Sequence, residues 1–276
     1  MTNQTYNWKT PDNVNLFAQS WKPDTEIKAV VTLVHGFGEH SSRYTPYIDY
    51  FLKKGIAFVG FDHRGHGKSD GKRGTVKSYE AFMNDMDLVT EKTKELFPNL
   101  PHFIYGHSMG GNIAFNYLLR RKPKLSGGII TSPWFALTKD PNFLLKGMIS
   151  FLKQIIPNLT IESGLEINYI STNANEVELY KTDALNHGKI SFRLFNIITQ
   201  SGSYAIKNSN QLEIPVLMFH GSADKITSPK ASKKAADANP NLIEYTRWPD
   251  KYHELHNETN RAEIAASVIQ WIEKHC

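Results

Sequence analysis

The sequence contains a single cysteine, Cys276, which is its last residue. One cysteine cannot form an internal disulfide, and it excludes a metal site built from several cysteines. The sequence also lacks any run approaching the roughly eighteen apolar residues of a spanning helix, and its start lacks the basic and apolar regions of a signal peptide. These absences lead us to expect a cytoplasmic protein, with any membrane contact limited to its periphery.

Charge of either sign is not concentrated in long runs. There are 32 Lys and Arg against 27 Asp and Glu, which gives a net charge of +5 and a pI near 9.0. The basic residues stand in short groups such as 68–73 and 120–122, which are typical of solvated helix ends and loops. We therefore expect no nucleic-acid partner, whereas weak attraction to an anionic membrane surface is compatible with this charge.

Hydrophobic residues make up 40% of the 276 residues and charged residues 21%, a globular composition for one large domain with an insertion. Apolar runs typical of buried strands alternate with segments of helical spacing. After a hairpin over 7–21, we predict strands at 29–34, 56–61, 125–131, 214–221 and 243–246, and helices near 44–52, 78–97 and 258–274. This alternation predicts an α/β fold with a mostly parallel central sheet, of about eight strands, flanked by helices.

The alternation stops between residues 134 and 208, where several helical patterns occur and no apolar strand-like run does. We predict that residues 134–208 form a helical cap inserted into a core domain of residues 1–133 and 209–276. A broad apolar helical face is predicted from Phe143, Leu144, Gly147, Met148, Phe151, Leu152, Ile155 and Ile156. This apolar face is expected either to pack onto the core domain or to form the lipid-facing entrance of a substrate pocket, and the sequence leaves both open.

The motif G-x-S-x-G occurs at 106–110, between a strand-like run and an apolar helical one. In this context it is typical of a nucleophile elbow, a sharp turn that exposes a serine hydroxyl. Gly106 and Gly110 suit such a turn, because a Cβ at either position would crowd the strand against the helix. We predict that Ser108 is a catalytic nucleophile; the alternative is an ordinary strand-to-helix turn.

A serine nucleophile needs a histidine base oriented by a carboxylate, each supplied from a different strand end. Asp224 follows the predicted strand 214–221, and His253 lies between the last strand and the last helix. The order Ser108, Asp224, His253 is that of α/β-hydrolases. The rivals are Asp183, Asp250 and Glu213 for the acid and His256 for the base, while His220 is interpreted as a structural histidine at a strand end.

An acyl-transfer site also needs backbone N–H donors for the oxyanion, one after the nucleophile and one after an early strand. These positions are Met109 and Phe37. The loop 62–71 is rich in histidine and aspartate, but it lacks a metal-binding spacing such as H-E-x-x-H, so we predict a hydrogen-bonded loop and no metal site.

Five segments together resemble the monoacylglycerol lipases of the α/β-hydrolase superfamily. They are HGFGEHSSRY at 35–44, DHRGHGKS at 62–69, GHSMGG at 106–111, GSAD at 221–224 and YHELH at 252–256. The resemblance implies the α/β-hydrolase fold, the triad Ser108, Asp224 and His253, and the oxyanion donors Phe37 and Met109. It also implies a polar pocket for glycerol formed by Arg43, His107, Glu176, Tyr180 and His256.

Members of that family hydrolyse monoacylglycerols to glycerol and fatty acid without a cofactor. We therefore predict a serine esterase with a monoacylglycerol substrate, no cofactor and an acyl-enzyme on Ser108. A lysophospholipase or broad-specificity carboxylesterase is the enzymatic alternative. A noncatalytic lipid-binding member of the same fold is the other alternative, and the sequence does not specify an oligomeric state.

Overall fold

An eight-stranded sheet forms the centre of the protein, and a two-stranded sheet lies between residues 134 and 208. A computed structural model describes residues 2–139, 147, 151–152 and 154–276. The strands are β1 (Thr2–Lys9), β2 (Asn15–Lys22), β3 (Ala29–Val34), β4 (Ile56–Phe61), β5 (His102–His107), β6 (Gly127–Thr131), β7 (Thr160–Glu162), β8 (Lys189–Ser191), β9 (Val216–Gly221) and β10 (Ile243–Trp248). The α-helices whose bounds are defined are α1 (Thr45–Leu52), α2 (Tyr79–Leu96), α3 (Ser108–Arg121), α4 (Ala174–Thr182), α5 (Phe192–Asn208), α6 (Pro229–Asp237) and α7 (Arg261–Lys274).

The large sheet has the strand order β1-β2-β4-β3-β5-β6-β9-β10. The opening hairpin β1–β2 is antiparallel, β2 runs antiparallel to β4, and all other neighbouring pairs are parallel. The predicted, mostly parallel sheet of about eight strands is therefore confirmed. Several boundaries differ from the prediction, since β1 begins at Thr2, β6 at Gly127, β9 at Val216 and the last helix at Arg261, and β10 continues to Trp248.

Hydrophobic packing on both faces of the sheet explains why its strands read as continuous apolar runs. One face is covered by α2 and α3, whose buried side chains include Phe82 and Phe115. The other face is covered by α1 and α7, with Phe51 and Trp271 in a separate cluster. Ser78 caps α2 by accepting a hydrogen bond from the Ala81 amide, as the predicted start of that helix requires.

The strand order reverses direction between β3 and β5, because β4 follows β3 on one side and β5 lies on its other side. Val34 at the end of β3 pairs with Gly106 near the end of β5. The loop that follows β3 therefore lies beside the serine that follows β5. In α/β sheets, ligands bind at such a switch point, outside the carboxyl ends of the strands.

Residues 134–208 connect β6 to its sheet neighbour β9 and contain α4, α5 and the antiparallel pair β7–β8. Besides these helices, the segment contains two three-residue strands, β7 and β8, whose side chains do not form an apolar run. Helix α5 contributes Leu194 and Ile198 to the same hydrophobic cluster as α2 and α3. The division into core domain and cap stays a prediction, and the predicted face residues Phe143, Leu144 and Met148 lie outside the described residues.

Candidate active site

Ser108 lies at a sharp turn between β5 and α3, with a backbone φ of 54°. A non-glycine residue in this left-handed region is strained, and such strain is characteristic of functional turns. A Cβ on Gly106 would lie 2.6 Å from the Gly110 carbonyl oxygen, and a Cβ on Gly110 would collide with the Val34 carbonyl. The backbones of β5, α3 and β3 approach so closely that only glycine fits at these two positions.

A continuous hydrogen-bond chain links Ser108, His253 and Asp224. The Ser108 Oγ lies 2.9 Å from His253 Nε2, and His253 Nδ1 lies 2.7 Å from Asp224 Oδ2. All three side chains are buried. With Nδ1–H donating to the carboxylate, Nε2 is free to accept the serine proton, which is the geometry of a nucleophile with its base and orienting acid.

Asp224 is held by donors on both of its carboxylate oxygens. Its Oδ1 accepts from the amides of Ile226 (2.7 Å) and Thr227 (3.0 Å). Its Oδ2 accepts from His253, from the Thr227 hydroxyl at 3.0 Å and from His220 Nε2 at 3.0 Å. Burial raises the pKa of Asp224, but the charge of His253 and these hydrogen bonds outweigh it and hold the pKa below its usual range.

His253 shows the opposite shift. Burial lowers its pKa, but the Asp224 carboxylate raises it by charge and by hydrogen bonding, and the net pKa lies above the usual 6.5. A base with a raised proton affinity accepts the serine proton readily, yet it is neutral only above its pKa. The form of this site that can deprotonate Ser108 is therefore expected to be lost as the pH falls through that value.

The rival acids and the rival base have other partners. Asp183 pairs with His40 Nε2 at 2.8 Å, and Glu213 pairs with Lys122. Asp250 lies next to Ser222, and its backbone amide donates a hydrogen bond to the Ser222 hydroxyl at 2.8 Å. The remaining rival, His256, stacks on Tyr44 with ring centroids 4.2 Å apart, and within the described residues neither of its ring nitrogens has a hydrogen-bond partner. The geometry thus favours Asp224 and His253, whose roles stay predictions.

The two predicted oxyanion donors lie on elements that meet at the serine. Met109 is in the first turn of α3, where backbone amides have no carbonyl partner within the helix and the helix dipole favours negative charge. Phe37 follows β3 in the loop that the Gly36 amide closes by donating to Glu39 Oε1 at 2.6 Å. The Phe37 ring packs edge-on against Trp134 and His187 and lines the cavity beside Ser108.

A buried charge cluster, which we define as Glu39, Arg43 and Glu254, joins this loop to the loop of His253. Arg43 donates to Glu39 Oε2, and it binds Glu254 through both terminal nitrogens at 2.9 and 2.8 Å. The Arg43 guanidinium also lies 4.6 Å from the centre of the Tyr180 ring. The side chains of Arg43, Glu39 and Glu254 are only 8%, 2% and 4% exposed, so the ion pairs are shielded from water.

Neither glutamate of the cluster has a role predicted from the sequence. Burial and the nearby Glu254 carboxylate raise the pKa of Glu39 against the charge of Arg43. Burial also raises the pKa of Glu254, but the bidentate Arg43 outweighs it and the pKa lies below its usual value. Their positions in the sequence could have indicated a role at the site, because Glu39 lies two residues after Phe37 and Glu254 directly follows His253.

The structure brings the predicted glycerol-pocket residues together only in part. Tyr180 lines the cavity, and its hydroxyl donates to the Gly38 carbonyl at 3.3 Å. Arg43 lies behind Glu39 and Glu254, and Glu176 pairs with Arg261 at 2.8 Å. His107 lies against the rings of His253 and His256 at 4.7 and 4.8 Å. Glu39 and Glu254 line the cavity together with Ser108 and His253, so these glutamates are better placed than Glu176 to bind glycerol hydroxyls.

A cavity of about 660 Å³ opens above Ser108. Its polar inner end is formed by Ser108, His253, Glu39, Glu254 and Tyr180. Its apolar wall is formed by Phe37, Trp134, Leu137, Ile161, Leu165, Ile170, Ile190, Phe192, Phe195 and Ile226. A predominantly apolar wall with a few convergent polar groups suits an amphipathic ligand whose polar end reaches the serine.

Histidines also cluster behind the Phe37 loop, where His35 and His63 each bind backbone groups of the other. His35 Nε2 accepts from the His63 amide at 2.9 Å, and His63 Nε2 lies 3.0 Å from the His35 carbonyl oxygen. Burial lowers the pKa of His35 to about 3. Within the described part of the chain, no group of three or more histidine, cysteine or acidic residues is placed to hold a metal ion.

Comparison with known proteins identifies the family. The family model described as "Serine aminopeptidase, S33" matches residues 25–260. The chain belongs to this family. The predicted α/β-hydrolase fold and serine-hydrolase class are thereby confirmed.

Two sequence relatives and one solved structure show how similar this serine hydrolase is to other proteins. An uncharacterized abhydrolase domain-containing protein of Dictyostelium discoideum is 35% identical over 99% of this chain, which spans only 29% of that protein's length. The monoglyceride lipase of Mus musculus is 31% identical, with 94% of this chain and 85% of that protein covered. The crystal structure of the Paleococcus ferrophilus monoacylglycerol lipase is 30% identical over 93% of this chain and 98% of that one, with a TM-score of 0.84.

Proposed function

We propose that the protein hydrolyses the ester bond of long-chain monoacylglycerols to glycerol and free fatty acid. The observation that carries this proposal is the chain Ser108–His253–Asp224 at the polar end of an apolar cavity. The acyl chain fits the apolar wall, and the ester then lies at the serine. The similarity to proteins named monoglyceride and monoacylglycerol lipases supports the same substrate class.

In the proposed reaction, His253 Nε2 accepts the Ser108 proton while Oγ bonds to the ester carbonyl carbon. The negative charge that develops on the carbonyl oxygen is stabilised by the Phe37 and Met109 amides. Collapse of this intermediate breaks the bond to glycerol, which leaves with the proton from His253. A water molecule, deprotonated by His253, then releases the fatty acid and restores the serine.

The charge at the inner end of the cavity favours a neutral polar group over a phosphate. Glu39 and Glu254 both line this end, two carboxyl groups with only Arg43 behind them, whereas the lysines that line the cavity, Lys139 and Lys225, are exposed. Carboxylate oxygens accept hydrogen bonds from glycerol hydroxyls, whereas a lysophospholipid would bring its phosphate toward the same carboxylates. The inner end of the cavity therefore favours monoacylglycerol over lysophospholipid.

Parallel turnover of 1-monoolein, lysophosphatidylcholine and a short p-nitrophenyl ester tests the substrate class. We expect monoolein kcat/KM to exceed that of lysophosphatidylcholine by roughly tenfold or more, which corresponds to about 1.4 kcal/mol of electrostatic discrimination. The p-nitrophenyl ester reports that the enzyme preparation is active. Negligible monoolein turnover beside good p-nitrophenyl ester turnover would replace the lipase assignment with a broad-specificity carboxylesterase.

We also propose that the segment 134–208 acts as a cap that contacts a membrane surface transiently. Phe151 and Ile155 are 62% and 61% exposed, and the exposed Ile161 also lines the cavity. Exposed apolar side chains in the segment that also supplies part of the cavity wall are suited to a lipid interface. Among the described residues, no helix combines the length and apolar character needed to cross a bilayer.

The double variant Phe151→Ser/Ile155→Ser is expected to bind phosphatidylcholine vesicles several-fold more weakly in a flotation assay, because about 0.8 kcal/mol is lost per buried CH₂ removed. Turnover of a soluble p-nitrophenyl ester serves as the control and is expected to stay unchanged, since neither residue lines the cavity. Equal vesicle binding by wild type and variant would refute the membrane contact.

A further inference from the structure

Two histidines share one oxygen of the candidate catalytic acid. His253 Nδ1 lies 2.7 Å and His220 Nε2 lies 3.0 Å from the same atom, Asp224 Oδ2. His220 is fully buried at the end of β9, four residues before Asp224. The sequence places it beside the acid but gives no sign that its ring meets the carboxylate.

The surroundings of His220 fix which nitrogen carries a proton. Its Nε2 faces Asp224 Oδ2 and the Thr227 carbonyl oxygen, 3.3 Å away, and both of these atoms can only accept. The Thr227 hydroxyl is also 3.3 Å from Nε2, but it donates its hydrogen to Asp224 Oδ2 at 3.0 Å. Nε2 therefore bears a hydrogen and donates it. The other nitrogen, Nδ1, lies 2.8 Å from the buried Ser232 hydroxyl of α6, which can donate to it.

We propose that His220 is a positioning residue that shares the Asp224 carboxylate with His253 and thereby limits how strongly that carboxylate holds a proton on His253. The proposal rests on the proposed serine-hydrolase function. It extends the triad by a fourth side chain that touches neither substrate nor serine and acts only through Asp224.

The physical basis is competition for one oxygen. A hydrogen bond donated by His220 withdraws electron density from Oδ2, so less of the negative charge is available to the His253 N–H. Without that donor, Asp224 stays in place, because the amides of Ile226 and Thr227 and the Thr227 hydroxyl still hold it. Its attraction for the His253 proton then increases.

The sign of the effect on activity follows from the role of His253. The base works only when neutral, so kcat/KM rises with pH as His253 loses its proton. If removal of the His220 donor strengthens the hold on that proton, the rise moves to higher pH. The other titratable groups that act on His253, namely Glu39, Glu254, His107 and His256, are unchanged by the substitution.

The test is the pH dependence of kcat/KM for a short p-nitrophenyl ester in the double variant His220→Phe/Ser232→Ala. Phenylalanine keeps the ring volume, and Ser232→Ala removes the hydroxyl that would otherwise be left unpaired. We expect the midpoint of the acid limb to move upward by about half to one pH unit, so that activity at pH 6 falls by roughly three- to tenfold. At alkaline pH the activity should differ by less.

Three controls separate this role from a structural one. Ser232→Ala alone is expected to leave the midpoint unchanged. His220→Gln should restore it to the wild-type value, because its amide nitrogen can donate from nearly the position of Nε2. His102→Phe replaces a buried histidine at the opposite, amino end of β5 and should leave the midpoint unchanged.

An unchanged or lowered midpoint in His220→Phe/Ser232→Ala would overturn the proposal. If this variant does not fold, His220→Met removes the same two nitrogens with a flexible apolar chain and is expected to give the same upward shift. The titration of His253 by histidine NMR reads its proton affinity without any substrate. A wild-type protein without ester turnover would therefore refute the proposed function, while the NMR midpoint would still decide the sharing of Asp224.

Discussion

Ser108→Ala is expected to lower ester turnover by a factor on the order of 10⁶ and to abolish labelling by a fluorophosphonate probe. The Ser108 Oγ is the atom that faces His253 Nε2 at 2.9 Å at the strained turn after β5. Without it no acyl-enzyme forms, and only the oxyanion donors and substrate binding remain to accelerate attack by water. Labelling gels and turnover of 1-monoolein measure the two effects.

The matched control is His253→Ala, alone and together with Ser108→Ala. Because the two groups act as one unit, the double variant should be no slower than either single variant. Equal labelling of wild type and Ser108→Ala would refute the proposed mechanism. Absence of labelling in the wild type would instead favour a noncatalytic lipid-binding protein.

Features set by short stretches of sequence were predicted well. The strands 29–34 and 56–61 have the predicted bounds, because each is a continuous apolar run that is buried on both faces of the sheet. Ser108 was singled out because its motif needs only a strand, a turn and a helix in succession. Each of these signals lies within about ten residues, so no knowledge of the folded chain was required.

Features that depend on distant residues were not predicted in full. Glu254 binds Arg43 across 211 positions of sequence, and neither residue alone indicates the other as its partner. The strands β7 and β8 have three residues each and lack an apolar run, so periodicity does not reveal them. His220 is predicted as a structural histidine from its place at the end of a strand, and its hydrogen bond to Asp224, four residues later, depends on how the loop between them folds.

Arg43→Met is expected to lower the free energy of unfolding by about 3–5 kcal/mol, the range for breaking a buried ion pair by removing one partner. Glu39 and Glu254 would be left as two buried carboxylates, with no other cation bonded to them among the described residues. Urea denaturation at neutral pH measures the change. Arg121→Met is the control, because Arg121 pairs with Glu80 and Asp87 at the exposed surface and should contribute less than about 1 kcal/mol.

The same substitution should lower kcat/KM even under conditions in which the variant is fully folded. Arg43 ties the loop of Phe37, the proposed oxyanion donor, through Glu39 to the loop of His253, through Glu254. Without Arg43, repulsion between the Glu39 and Glu254 carboxylates would move the Phe37 amide away from His253, although both must act on the same substrate. A misplacement of about 1 Å can reduce the rate by roughly 10². Adding Glu39→Gln removes one of the facing charges and should recover part of both losses. Stability and activity equal to those of wild type in Arg43→Met would show that the cluster is not what holds the two loops together.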